Sequence, residues 1–139
     1  MILVDTPVWS LALRRKGANL STSERRSVQL LSAVIEEGRA RLLGSVRQEL
    51  LSGLREESEF LRLRDYLRAF PDTPVLTEDY EDAAHASNRC RAAGIAASLV
   101  DMLICAVAMR HSWEIFTADL DFTHYQRVMG VRLFQPRDH

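Results

Sequence analysis

Residues 1–5 read MILVD, a continuous apolar run that stops at an aspartate. A run without polar alternation is typical of a strand buried on both faces, as the strands of a parallel sheet are. Pro7 follows two residues later, and proline is well tolerated at the first position of a helix. The N-terminus therefore predicts a buried parallel strand that leads directly into a helix.

Short apolar runs alternate with helical patterns along the rest of the chain. Further strands are predicted at residues 42–43, 74–76, 114–117 and 131–134. A capping box at residues 21–24 starts a helix that ends at Gly38. Later helices are predicted at residues 56–70, 77–94 and 102–109, with Thr77 and Ser98 as the predicted caps of the last two. The last of these helices is apolar nearly all round. Because strands alternate with helices, we expect a parallel sheet with crossover helices, and the fold class is α/β.

Length and composition indicate one domain with a hydrophobic core. The chain has 139 residues, of which 47% are hydrophobic and 27% charged, and its formal net charge is -1. This charge gives no bulk electrostatic argument for binding nucleic acid or membrane. No apolar run approaches the roughly 20 residues that span a bilayer. Without a signal peptide, we expect a cytoplasmic protein, and Cys90 and Cys105 lack metal-binding spacing.

Acidic residues follow several of the predicted strands. Asp5 follows the first strand, and Glu49 lies just past the second, in a short helix capped by residues 45–48. Asp119 and Asp121 follow the strand at residues 114–117, and Asp101 lies in the first turn of the apolar helix. Ligand sites in open α/β sheets form beyond the carboxyl ends of the strands. We therefore expect these carboxylates to meet at one edge of the sheet.

Each of these acids also has an ordinary structural interpretation. Asp5 and Asp121 could cap helices, and Asp101 could be the acidic partner in a capping box. Glu49 could be a solvated helix residue, and Asp119 could belong to a turn. The joint pattern favours a site, because independent accidents would have to place all of these carboxylates at the same end of one sheet.

The surroundings of Asp101 indicate a metal ion. Eight consecutive apolar residues follow it, so its helix is buried, and a charge at the entrance of a buried helix needs a compensating partner. A divalent cation would satisfy all of the acids at once. Oxygen ligands without histidine or cysteine favour Mg²⁺ or Mn²⁺ over zinc.

Four motifs in this order resemble those of PIN-domain nucleases, most nearly the VapC-type toxins of toxin–antitoxin modules. They are Asp5-Thr6, residues 46–53 (VRQELLSG), residues 98–106 (SLVDMLICA) and residues 117–122 (TADLDF). The resemblance covers essentially the whole chain and depends on the ordered set, not on any single motif. It implies a single PIN domain at residues 1–139, with a three-layer α/β/α fold and a central parallel sheet of four to five strands. Pro7 departs mildly from the family pattern, which often has a small or polar residue there.

The resemblance also implies an activity and partners. It implies an endoribonuclease that hydrolyses RNA phosphodiester bonds with Mg²⁺ or Mn²⁺, as the toxin of a type II toxin–antitoxin pair. Asp5, Glu49, Asp101 and Asp119 would be the catalytic acids that hold the metal, with Asp121 as an accessory acid and the Thr6 hydroxyl beside them. A cognate antitoxin and a homodimer are the implied protein partners. A housekeeping RNA-processing nuclease and a non-catalytic RNA- or protein-binding module with the same fold remain alternatives.

Binding of RNA would require cations or aromatic rings elsewhere. The candidates are six cations: Arg14, Arg15, Lys16, Arg47, Arg89 and Arg91. Each could instead be a solvated surface residue. Trp9 could stack on a base, although a tryptophan on a helix face is more often in the core, and His124 is close enough to the acidic loop for substrate contact.

Two other classes of α/β protein fit the sequence less well. Receiver and phosphatase domains also cluster aspartates at strand ends, but they need a lysine late in the sequence, and Lys16 is the only lysine. Nucleotide-binding enzymes of the P-loop and dinucleotide-binding types are disfavoured because neither GxxxxGK[ST] nor GxGxxG is present.

Overall fold

The N-terminal apolar run forms β1 (Ile2–Val4), the strand at the centre of the fold. The computed structural model describes residues 1–13 and 19–135. In these residues β1 pairs in parallel with β2 (Ala40–Arg41) on one side and with β3 (Glu114–Phe116) on the other. The fourth strand, β4 (Arg132–Leu133), pairs with β3, so the order is β2-β1-β3-β4.

Seven helices accompany this sheet in the described residues, and they fall into two groups by mutual contact. The helices are α1 (Thr6–Leu13), α2 (Thr22–Glu36), α3 (Gly44–Leu51), α4 (Glu57–Leu67), α5 (Thr77–Ala92), α6 (Leu99–His111) and α7 (Asp121–Met129). The first group packs together through α1–α2, α1–α3 and α3–α4 contacts, and the second through α5–α6 and α5–α7 contacts. The predicted α/β/α fold with a parallel sheet is confirmed. None of these helices has the length and hydrophobicity that a membrane crossing requires.

The order of the strands makes β1 a switch point. The chain moves from β1 outward to β2 on one side, and later strands lie on the other side, beginning with β3. Helices that follow neighbouring strands therefore diverge beyond the carboxyl ends of β1 and β3, which leaves a crevice there. Any side chain placed just after β1 or β3 lies at this crevice.

The core is built around β1 and α6. All three residues of β1 are fully buried, as the unbroken apolar run predicts. Six residues of α6 are buried: Met102, Ile104, Cys105, Ala106, Val107 and Ala108. The prediction of a central apolar helix is therefore confirmed. Trp9 is also fully buried, with its Nε1 donating to the carbonyl of Val4 at 3.2 Å, which confirms the favoured core interpretation over stacking on a base.

Two predicted strands are corrected. The second strand lies at Ala40–Arg41, just before the predicted residues 42–43. Leu42 instead forms an isolated bridge with Asp72, and the amide of Thr73 donates to its carbonyl at 2.9 Å. Leu42 and Leu43 are both fully buried, which gives them the composition of a strand. Residues 74–76 form no strand, because Pro74 has no N–H to donate to a ladder.

Only some of the predicted helix caps are present in the structure. The predicted capping box of α2 is present: Ser21 Oγ accepts from the amide of Glu24 at 3.1 Å, and the carboxylate of Glu24 accepts from the amide of Ser21. The predicted cap by Ser98 is also present. The caps predicted at residues 45–48 and at Thr77 are wrong. Leu43 and Leu76 occupy those positions, and neither provides a side-chain oxygen.

Candidate active site

Asp5 lies directly after β1 and is only 4% exposed. Its Oδ1 accepts a hydrogen bond from the amide of Thr6, and its Oδ2 accepts one from Oγ1 of Thr117, both at 2.8 Å. The pKa of Asp5 is raised to about 6, mainly by burial and to a lesser extent by the nearby charges of Asp101 and Asp119, whereas the two hydrogen bonds act to lower it. The carboxyl end of β1 thus carries an acid that is costly to ionise unless positive charge arrives.

Thr117 joins the ends of the two central strands. It follows β3, and its hydroxyl donates to Asp5 while accepting from the amide of Asp119 at 3.0 Å. Asp119 Oδ1 in turn accepts from the amide of Asp121 at 2.9 Å. This chain of hydrogen bonds folds residues 117–121, the TADLD loop, back over the end of β1. Asp119 is thereby close enough for its charge to raise the pKa of Asp5.

Asp101 enters the same crevice from the first turn of α6. Ser98 caps this helix, with its Oγ accepting from the amide of Asp101 at 3.1 Å. The carboxylate of Asp101 accepts a 3.0 Å hydrogen bond from the hydroxyl of Tyr125 on α7. Burial raises the pKa of Asp101, and the charges of Asp119 and Asp121 add to this rise.

Tyr125 is a residue that sequence reasoning missed. It is 1% exposed, and Phe122 packs edge to face against its ring with centroids 5.0 Å apart. Its pKa is raised by burial first and then by the charge of Asp101. The apolar spacing of residues 122 and 125 on a short helix places the ring in the core, but no motif signals where its hydroxyl points.

Glu49 reaches the site through a threonine. It is exposed on α3, and its Oε2 accepts a 2.9 Å hydrogen bond from the Thr6 hydroxyl. Thr6 begins α1 immediately after Asp5, so this bond ties the acid of α3 to the end of β1. The structure therefore brings Glu49 to the same strand end as Asp5.

Asp121 occupies the first position of α7, and the N-cap residue is Leu120, so the interpretation of Asp121 as a helix cap is wrong. Its side chain is exposed, and its charge contributes to the raised pKa of Asp101. Asp121 therefore lies at the rim of the acidic crevice and completes the group of acids that the sequence placed there.

Among the described residues, no cation compensates the charges of these acids. Within residues 1–13 and 19–135, none of Asp5, Glu49, Asp101, Asp119 and Asp121 forms an ion pair with arginine or histidine. As they stand, no three histidine, cysteine or acidic side chains in this part of the chain are close enough to hold a metal ion. The donor set nevertheless fits a hard divalent cation, because it consists of carboxylate oxygens at one strand edge, without histidine or cysteine.

Three of the candidate RNA-binding cations lie in the described residues, and each has an intramolecular partner. Arg47 donates to Oδ1 of Asp72 at 2.8 Å and to the carbonyls of Leu67, at 3.0 Å, and Phe70. Its role is therefore to hold the end of α4. Arg89 donates to the carbonyl of Val128 at 2.6 Å, which joins α5 to α7.

The remaining cations and the histidine add little to the site. Arg91 is exposed and donates to the side chain of Asn88 at 3.0 Å, within α5. His124 is exposed on α7. Arg14, Arg15 and Lys16 lie outside the described residues.

The chain is similar to known proteins over nearly its whole length. The family model described as PIN domain matches residues 2–128. Two curated relatives are VapC ribonuclease Mb1587 of Mycobacterium bovis and Ribonuclease VapC11 of Mycobacterium tuberculosis. Each is 31% identical over 134 residues, which cover 95% of this chain and 96% of the relative.

Solved structures share the fold. The crystal structure of FitAcB from Neisseria gonorrhoeae has a TM-score of 0.75 at 24% identity, covering 97% of each chain. The structure of FitAB bound to an IR36 DNA fragment has a TM-score of 0.76 at 24% identity, covering 100% of this chain and 99% of that one. VapBC2 from Rickettsia felis, bound to a DNA fragment from its promoter, has a TM-score of 0.68 at 16% identity, covering 96% and 98%.

Proposed function

The chain belongs to the PIN-domain family, and from this membership we propose that it is a metal-dependent endoribonuclease, the toxin of a type II toxin–antitoxin pair. The observation that carries the proposal is the meeting of Asp5, Asp101 and Asp119 at the carboxyl ends of β1 and β3. The charges of Asp101 and Asp119 raise the pKa of Asp5, and the charge of Asp119 raises the pKa of Asp101. The class of substrate comes from the curated relatives, which are named ribonucleases and align over 95% of this chain.

We propose Mg²⁺ or Mn²⁺ as the cofactor. Asp5, Glu49, Asp101 and Asp119 would hold it, since all four supply the carboxylate oxygens that these ions prefer. When bound, the ion supplies positive charge for an anionic phosphodiester and lowers the pKa of an attacking water. Asp121, at the rim of the crevice, is proposed as an accessory acid.

The remaining roles in the proposal belong to residues that hold the acids. Thr117 orients Asp5 and fixes the backbone of Asp119 with one hydroxyl. Thr6 holds the side chain of Glu49. Because these bonds fix the carboxylates before substrate arrives, little reorganisation is needed when a phosphate enters the crevice. Arg89 and Arg91, on the surface of α5, remain the proposed RNA contacts among the described cations.

We also propose a small antitoxin as partner and a homodimer as the assembly, both in the cytoplasm. The solved neighbours named FitAcB, FitAB and VapBC2 support a two-protein system. Exposed apolar side chains beside the acids support a covering partner: Leu99 is 78% exposed two residues before Asp101, and Leu120 is 79% exposed between Asp119 and Asp121. Large apolar side chains exposed beside a charged site are typical of a surface that another molecule covers.

The proposal is tested by RNA cleavage with matched variants. Protein purified free of antitoxin is incubated with transfer and ribosomal RNA in Mg²⁺, Mn²⁺ or EDTA. We expect discrete fragments that need the metal and that disappear in Asp5→Asn and Asp101→Asn. Asp82→Asn, which removes an exposed charge on α5 away from the crevice, should cleave like the wild type. Cleavage at the wild-type rate by a folded Asp101→Asn variant would contradict the assignment.

A growth experiment separates a toxin from a housekeeping nuclease. Expression of the chain without an antitoxin should arrest growth of the host, and the Asp101→Asn variant should not. Metal-dependent cleavage in vitro without any growth arrest would favour the housekeeping alternative.

A further inference from the structure

Tyr125 lies outside the four sequence motifs, and it is a buried residue whose hydroxyl contacts one of the acids, Asp101. Its hydroxyl lies 3.0 Å from Oδ2 of Asp101, and its ring is 1% exposed against Phe122. The contact joins α7 to α6, which are adjacent to the crevice on either side of the TADLD loop. A ring held this firmly allows its hydroxyl only a narrow range of positions.

In this hydrogen bond Tyr125 is the donor and Asp101 the acceptor. A phenol is protonated at neutral pH and has a single O–H to donate. Asp101 is half-buried, and the Tyr125 hydroxyl donates to one of its carboxylate oxygens, which restrains the rotation of the whole group. Asp5 and Glu49 are restrained in the same way by hydroxyls, from Thr117 and Thr6.

We propose that Tyr125 is a positioning residue for Asp101, holding one carboxylate oxygen so that the other remains available to a divalent cation. This inference rests on the proposed function, because it takes Asp101 as a metal ligand. Partners of metal ligands typically contribute about 10- to 100-fold to metal affinity. The role of Tyr125 is therefore felt mainly as affinity for the ion and only secondarily as rate once the ion is bound.

The test is Tyr125→Phe, which keeps the ring and its packing and removes only the hydroxyl. Mn²⁺ binding to the antitoxin-free protein is measured by titration calorimetry, and RNA cleavage is measured across a range of Mn²⁺ concentrations. We expect Kd for Mn²⁺ and the half-saturating Mn²⁺ concentration to rise together by about tenfold. At saturating Mn²⁺ we expect kcat to stay within about threefold of the wild type, since the ion then holds Asp101 itself.

Tyr80→Phe is the matched control, because Tyr80 is 60% exposed on α5 and its hydroxyl has no partner in the described residues. It should bind Mn²⁺ and cleave RNA like the wild type. Circular dichroism and thermal unfolding establish that both variants are folded. If Tyr125→Phe lowers Tm but leaves Kd for Mn²⁺ unchanged or tighter, the hydroxyl is only structural and the inference is overturned.

Different results would overturn the role of Tyr125 and the proposed function. If the wild type binds Mn²⁺ and cleaves RNA while Tyr125→Phe behaves identically, only the role of Tyr125 is lost. If the folded wild type neither binds Mn²⁺ nor cleaves RNA, the proposed function is overturned and the role of Tyr125 with it.

Discussion

Ionisation of the buried Asp5 carboxyl makes the folded state less stable, although the same carboxylate is a proposed ligand of the metal ion. Its pKa is raised from 3.8 to about 6, with burial as the main cause. The folded protein therefore holds this proton at pH values where the unfolded chain has released it. Stability from this residue is then present at low pH and is lost as pH rises from about 4 to about 6.

Replacement of Asp5 by asparagine should remove this pH dependence. Relative to the wild type, the metal-free Asp5→Asn variant should gain unfolding free energy between pH 4 and pH 7, by at most about 3 kcal/mol. Urea unfolding at both pH values, in EDTA, measures the difference. A difference between the two proteins that stays constant over this range would show that Asp5 titrates normally in the folded state.

A second prediction for a single residue concerns Thr117 and the two hydrogen bonds of its hydroxyl. Thr117→Val keeps the shape but removes the donor to Asp5 and the acceptor for the amide of Asp119. We expect a loss of about 1–2 kcal/mol in unfolding free energy and a tenfold or greater fall in cleavage rate. Thr77→Val, at an exposed position on α5, should change neither quantity. Full activity in Thr117→Val would mean that the acids do not need this bridge.

Arg47 belongs to the scale of elements, because it joins α3 to the end of α4. Its guanidinium is bonded to the carboxylate of Asp72 and to carbonyls that the end of α4 leaves without helical partners. Arg47→Met should lower the unfolding free energy by about 2 kcal/mol while leaving RNA affinity and its salt dependence unchanged. A stable variant with weakened RNA binding would restore Arg47 as a substrate contact.

The sequence predicts elements well where a pattern is local. The runs at residues 1–4 and 114–117, the capping box of α2 and the Ser98 cap all depend on neighbours within four residues, and all are present. The predicted cap at Thr77 failed because a distant partner decides. Asp79, not Thr77, satisfies the start of α5, because Arg110, 31 residues later, holds its carboxylate at 2.7 Å.

The same distinction applies to the site. The acids could be placed in advance because strand ends in a parallel sheet share one edge, and the structure does bring them there. The hydroxyls that hold them could be predicted only in part. Thr6 lies within a motif, whereas the bond from Tyr125 depends on the approach of α7 to α6, which no local pattern specifies.

At the scale of the whole molecule, the acidic crevice links metal binding to stability. Ionised acids without a cation destabilise the folded state, so an ion that binds only this state should stabilise it. At pH 7, Mn²⁺ at about 100 times its Kd should raise the unfolding free energy by about 2.7 kcal/mol.

Thermal unfolding with and without Mn²⁺ measures this effect. The same addition should leave Asp101→Asn nearly unchanged, because a ligand has been removed. An equal rise of Tm in the wild type and in Asp101→Asn would mean that the ion binds elsewhere.

The central position of β1 has a consequence for synthesis of the chain. Ile2–Val4 are synthesised well before Glu114–Phe116, with which they pair, and Asp5 receives one of its two side-chain hydrogen bonds from a threonine 112 residues later. Translation at about 5–20 residues per second separates these events by several seconds. During that interval the nascent chain lacks the neighbour strand on which its first acid depends. The crevice is thus completed only after residues 114–121 have been synthesised, and chains whose translation stops before them would lack it.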